Sequence, residues 1–218
     1  MSNADVYDAA RQRITELARN ADLNTAVGAC PGWTVGDVVA HLAGGLADFT
    51  ERRFDGVDTG EWGERQVRER RGRSLDDSLT EWALNRQAAD GLFDSPMGPI
   101  LVTEIVSHEQ DIRTALGRPG ERDNVAVRSA LTRPLQEVDK RMRSDGLPAL
   151  RVELEHGTRV LGEGEPAGTL RVSSFELLRT IAGRRSLDQM RTLAWDGDPE
   201  PWLGVFSLFG ERRQALVE

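Results

Sequence analysis

Apolar residues recur with a helical period through the first two thirds of the chain. Val6, Ala10, Ile14 and Leu17 make one stripe. Pro31-Gly32 then breaks the pattern, and Thr34 followed by Asp37 has the spacing of a capping box. From there Val35, Val38, Val39, Leu42, Leu46 and Phe49 resume the 3.6-residue period. Ser74 with Asp77 predicts the start of a third helix carrying Leu75, Leu79, Trp82 and Phe93. A fourth is predicted from Pro99, suited to a first turn, to Leu116, with Gly117 and Pro119 just beyond its end. A fifth runs from Val125 to Arg143.

Between Gly146 and Pro148 the period shortens to two. Leu150, Val152 and Leu154 alternate with Arg151, Glu153 and Glu155. The turn residues His156-Gly157 lead to Val160-Leu161, and Leu170-Val172 follows a stretch rich in glycine and proline. Two short helices are predicted from Ser173 (partner Glu176) and Ser186 (partner Gln189). No repeat or low-complexity segment interrupts this order. The chain therefore reads as mainly α: a helical bundle over 1–146, then a small α+β domain over 147–218.

Composition narrows the functions available. The chain has 218 residues, 39% hydrophobic and 29% charged, which is ordinary for a globular protein with a real core. A net charge of -8 disfavours nucleic acid and anionic membrane surfaces as partners. The single cysteine, Cys30, excludes an internal disulfide framework and a four-cysteine zinc site. No apolar run approaches a membrane span, and residues 1–20 lack a signal-peptide core, so the expected compartment is the cytoplasm. Oligomeric state is left open.

Only three histidines are available to a histidine-based site. In the segment LVTEIVSHEQDIRTALG, Glu104 and His108 lie four residues apart, one turn above each other beside a stripe of Leu101, Ile105, Ile112 and Leu116. Ionisable groups beside a core seam are costly unless paired or metal-bound. His41 borders the stripe of the second helix, next to Gly44-Gly45, where an adjacent helix or a ligand can come close. Together, His41, Glu104 and His108 offer the donors of a catalytic zinc site with one open position. Spacing alone equally describes a Glu/His ion pair and a hydrogen-bonded core histidine.

The segments CPGWTVGDVVAHLAG (30–44), HEQDIRTALGRP (108–119), ELLRTIAGRRSLDQ (176–189) and WDGD (195–198) carry a family resemblance. In that order they resemble the mycothiol-dependent maleylpyruvate isomerase family. The resemblance implies a DinB-like, up-and-down four-helix bundle that binds a metal, usually zinc, followed by a small C-terminal domain. It places the metal on His41, Glu104 and His108. It further implies mycothiol, a low-molecular-weight thiol, as cosubstrate. The reaction is then S-transfer to, or cis-trans isomerisation of, a small electrophile of the maleylpyruvate type. It also implies a functional arginine in the C-terminal domain. Arg184, within Gly183-Arg184-Arg185-Ser186, is assigned that part because guanidinium forks suit carboxylate-bearing substrates.

Two other readings stay open: a metal-dependent hydrolase, and a non-catalytic metal- or ligand-binding module. A hydrolase needs a base near the metal, and Glu109 points about 100° away from His108 around the helix. Cys30 is expected to be a small buried filler, and Trp33 a hydrophobic staple. Asp111 either orients His108 or pairs with an arginine. His156 is expected in a hairpin turn, and Arg68–Arg73 in a solvated loop.

Overall fold

The computed structural model describes every residue except 58, 209 and 211. It divides into two compact units, Met1–Gly120 and Glu121–Glu218. The first comprises α1 (Asn3–Arg19), α2 (Val35–Glu51), α3 (Glu61–Arg70), α4 (Leu75–Ala88), α5 (Asp90–Phe93) and α6 (Gly98–Ala115). The four long helices form a four-helix bundle, α1 packed on α6 and α2 on α4, with α2 also meeting α6.

Local chemistry explains where these helices begin. Ser2 with Asp5, Thr34 with Asp37 and Ser74 with Asp77 each close a capping box, satisfying backbone donors at the first turn. Val6, Ile14, Val35, Val38, Leu101 and Ile105 fill the core that the stripes predict. Trp82 is fully buried and its indole donates to the Tyr7 hydroxyl at 2.8 Å. Burial pushes that hydroxyl above the ordinary tyrosine range. Phe93, expected on the third helix, lies beyond its end on α5, with its ring 5.0 Å from Tyr7.

The expected solvated loop at Arg68–Arg73 is corrected by the structure. Residues 68–70 complete α3, and Arg70 is buried. Its guanidinium forks onto Glu81 at 2.9 and 2.5 Å and rests over Gly44. A Cβ at Gly44 would come within 2.6 Å of Arg70 Nη1, so only glycine admits this packing.

The second unit contains α7 (Val125–Ser144), β1 (Pro148–Leu154), β2 (Gly157–Leu161), β3 (Glu163–Arg171), α8 (Ser174–Ile181), α9 (Leu187–Arg191), β4 (Ala194–Asp196) and α10 (Glu200–Leu203). The sheet order is β2-β1-β3-β4; β1 is antiparallel to β2 and parallel to β3, and β3 is antiparallel to β4. His156 sits in the β1–β2 turn, its Nε2 3.2 Å from Asp123. At the β2–β3 corner Gly162 has φ 82°, and a Cβ there would meet the Ala149 backbone at 3.2 Å. Ser173 and Ser186 cap α8 and α9 as predicted. The change of period at 147 marks where helix gives way to strand. The compact unit begins one helix earlier, because α7 packs on α8 and β2. Among the described residues, no helix is long and apolar enough to cross a membrane.

Candidate metal centre

Within the bundle, α2 supplies His41, and α6 supplies Glu104 and His108 one turn apart. His41 meets each of the other two side chains. His41 Nε2 is 3.1 Å from Glu104 Oε1, and the His41 and His108 rings meet edge-on with centroids 4.9 Å apart. His41 is 6% exposed and His108 9%. Gly45 of α2 faces the Glu104 carboxylate, where a Cβ would make ordinary contact at 3.6 Å from Oε1. Burial alone would raise the Glu104 pKa. The His41 hydrogen bond and the neighbouring imidazoles outweigh it and hold the group below the ordinary carboxylate value.

The turn before α2 closes over this pocket. Val27 N donates to Trp33 O, and Cys30 and Trp33 are tied into the same turn by backbone hydrogen bonds. The Trp33 ring lies 4.9 Å from His41 and stacks on His108 at 6.5 Å, while its indole donates to Glu64 on α3 at 2.8 Å. Trp33 thus covers the imidazoles as well as standing next to a helix cap. Trp62 of α3 adds an edge contact 6.2 Å from His41. Gly63 lets the α3 backbone approach: a Cβ there would lie 3.2 Å from Trp33 and 3.5 Å from His41 Nδ1. His41 Nδ1 itself is buried without a hydrogen-bond partner among the described residues.

Asp111, fully buried, stands behind His108, with its Oδ2 3.0 Å from His108 Nδ1. Cys30 is not an inert filler. Its Sγ lies 3.5 Å from Asp111 Oδ2 and 3.8 Å from His108 Nδ1. Cys30, His108 and Asp111 therefore make a second set of donors, all within 4.8 Å of one another. Glu109 faces away and is buried between Arg13, at 2.7 and 2.8 Å, and Arg113, at 2.9 Å.

The donor chemistry fits a divalent ion. Two donors to one tetrahedral zinc at about 2.0–2.2 Å sit roughly 3.3–3.6 Å apart. His41 and Glu104 are already close to that spacing, at 3.1 Å. In the Cys30 set, His108 Nδ1 and Asp111 Oδ2 stand at a similar 3.0 Å, and in either set an ion would replace the hydrogen bond between its two closest donors. Sequence reasoning singled out His41, Glu104, His108 and Asp111. It missed Cys30 and the covering role of Trp33, which sit in a turn without periodicity, and it missed Trp62 and Gly63 on an unpredicted helix.

In the C-terminal unit, Arg184 is half-buried and its Nη1 donates to Ala182 O at 2.5 Å. Its neighbour Arg185 is buried against Glu176 and Glu218.

Residues 6–113 match the family model described as the mycothiol maleylpyruvate isomerase N-terminal domain. A solved structure of the mycothiol-dependent maleylpyruvate isomerase aligns with a TM-score of 0.57 at 14% identity, covering 84% of this chain and 88% of that one. A histidine-to-alanine mutant of that enzyme aligns with a TM-score of 0.55 at 13% identity, covering 83% and 88%. These similarities establish a shared fold. No curated protein matches the sequence.

Proposed function

Through its N-terminal unit the chain belongs to the mycothiol maleylpyruvate isomerase family, and from that premise we propose a metal-dependent, thiol-using enzyme. Its reaction is S-transfer from mycothiol to, or mycothiol-assisted cis-trans isomerisation of, a small electrophile of the maleylpyruvate type. His41, Glu104 and His108 would hold the ion, assigned as zinc. The observation that carries this reading is that His41 of one helix meets both Glu104 and His108 of another, with Asp111 behind His108.

When bound, zinc lowers the pKa of a thiol that joins it, making the nucleophilic thiolate available at neutral pH. The chain's own residues set the conditions. Asp111 accepts the proton of His108 Nδ1, which leaves Nε2 as the ligand atom and fixes the ring plane. Glu104 enters as a carboxylate, its pKa already depressed. One carboxylate against a divalent ion leaves a positive site, suited to an anionic sulfur. Trp33 and Trp62 shield the imidazoles from water.

Glu109, locked between Arg13 and Arg113, supplies no general base for water, which favours thiol chemistry over hydrolysis. Of the two adjacent arginines, Arg184 is the more accessible and is proposed to bind a substrate carboxylate. Arg184→Ala is expected to lower turnover without loss of metal.

Metal analysis of the purified protein, paired with assays on unsaturated carboxylates with and without mycothiol, tests the reading. One equivalent of zinc and strictly thiol-dependent turnover are expected, and His108→Ala should abolish both. Wild-type protein without metal at neutral pH, unchanged by His108→Ala, would sink the site. Zinc without thiol dependence would sink the thiol chemistry.

A further inference from the structure

The C-terminal unit holds a cavity that thiol chemistry in the bundle does not use. It measures about 510 Å³ and opens between one face of α7 and the β1–β2 hairpin. Pockets of roughly 300–1,000 Å³ are the size that small ligands fill. Leu131 and Leu135, four residues apart and so on one face of α7, line it from the helix. Leu154 and Leu161 line it from the hairpin. Leu131 and Leu161 are buried while Leu135 and Leu154 are half-buried, so the apolar wall runs outward to water instead of closing on itself.

One residue of that wall is charged. The antiparallel register sets Arg159 opposite Val152 and Leu161 opposite Leu150. Directly opposed residues share a face of the sheet, and Val152 and Leu150 are wholly buried. Arg159 therefore rises from the inward, apolar face of β2, an edge strand. Among the described residues its guanidinium makes one hydrogen bond, from Nη1 to the neighbouring Thr158 O at 3.2 Å, and meets no carboxylate. The other charges on the cavity are already engaged. Arg128 Nη1 meets Asp123 at 3.3 Å and His156 Nε2 at 3.0 Å. Asp139 is held by Arg143 at 2.9 Å and by the Gly162 amide at 2.7 Å. An inward charge on an edge strand also discourages pairing with a second sheet, but that role needs no cavity beside it. An apolar wall with an uncommitted guanidinium fork at its rim matches an apolar chain that ends in a carboxylate.

We propose that this cavity binds a small amphipathic carboxylate. The chain lies along Leu131, Leu135, Leu154 and Leu161, and Arg159 takes the head group. Wall and cation act together, so an uncharged chain or a bare carboxylate binds weakly. The assignment concerns the C-terminal unit alone and stands whether or not the bundle holds an ion.

The test titrates the full chain with monomeric sodium octanoate at constant ionic strength, read by calorimetry and thermal unfolding. One saturable site is expected, half-filled at about 0.1–1 mM. Octanol and sodium acetate should each bind at least about tenfold more weakly. Arg159→Gln should weaken octanoate about tenfold or more and leave octanol unchanged. Thr132→Trp, on the α7 side of the cavity, fills the space and should abolish octanoate binding with Arg159 intact. Both positions are exposed, and each variant carries the test if the other folds poorly. A parallel titration with a chelator present separates this site from carboxylate held by a metal ion, and binding should persist. The proposal is overturned by no saturable binding to wild type, or by octanol or acetate matching octanoate. It is equally overturned by a folded variant binding octanoate as wild type does, or by binding that the chelator abolishes.

Discussion

Glu104 in the bundle and Glu218 in the C-terminal unit are each a carboxylate drawn out of water and set against two nitrogen-bearing side chains. In both, burial raises the carboxyl pKa and the partners more than reverse it. The partners differ in kind. His41 and His108 can each give up a proton and offer a lone pair, so their cluster can exchange protons for a cation. Arg179 and Arg185 stay charged at any working pH and hold no lone pair, so their cluster accepts only anions. Exposure differs too: the Glu104 side chain is 19% exposed and that of Glu218 1%. One charge pattern thus carries opposite chemical capacities, and the identity of the base decides which.

Removing a guanidinium from the sealed cluster should have the largest effect. Arg179→Met takes the two-pronged partner from the buried Glu218, which keeps its contact with Arg185, and should cost about 3–5 kcal/mol in denaturant unfolding. A cost within about 1 kcal/mol, the range of exposed pairs, would mean that the cluster is solvated. In the bundle, Asp111→Asn should leave the fold intact yet weaken zinc affinity about 10–100-fold, read by chelator competition. An unchanged affinity would remove Asp111 from the site.

Acid should separate the clusters further. The Glu218 pKa is depressed below its ordinary 4.5, so its stabilisation is complete above that value. It is lost as pH falls through the lowered folded value. Unfolding curves of wild type and Glu218→Gln should therefore differ most from neutrality down to about pH 5 and converge in stronger acid. A gap that is constant with pH would deny the linkage. The smallest effect is expected from Cys30→Ser, which should retain one equivalent of zinc. Its loss would transfer the ligand set to Cys30, His108 and Asp111.

Much of the bundle is legible because its signals are local. Capping boxes at Thr34 and Ser74 fix helix starts, and four-residue spacing puts Glu104 above His108 whatever the tertiary fold. That His41 would face them is a matter of helix pairing, which periodicity does not encode; the edges of the two stripes allow it and the family resemblance implies it. Helix α3 escaped notice because its buried residues are Gln66, Val67 and Arg70, held by Glu81 and the bare surface of Gly44 rather than by an apolar stripe. The same holds for the Glu218 cluster, whose partners lie far apart in sequence and are joined through an irregular segment. The change of period near 147 likewise reports local geometry, whereas the membership of α7 in the second unit depends on what it packs against.

His41 and His108 also stand far apart along the chain, on helices that meet only in the folded bundle. An ion gripped by both closes a loop of about 70 residues, the topological act of a disulfide in a protein whose single cysteine cannot make one. By loop-closure entropy such a cross-link withdraws about 4 kcal/mol of freedom from any unfolded chain that keeps it. A metal held there would be a reversible clasp on the denatured ensemble, and the chelating strength of the surroundings would decide whether it is fastened.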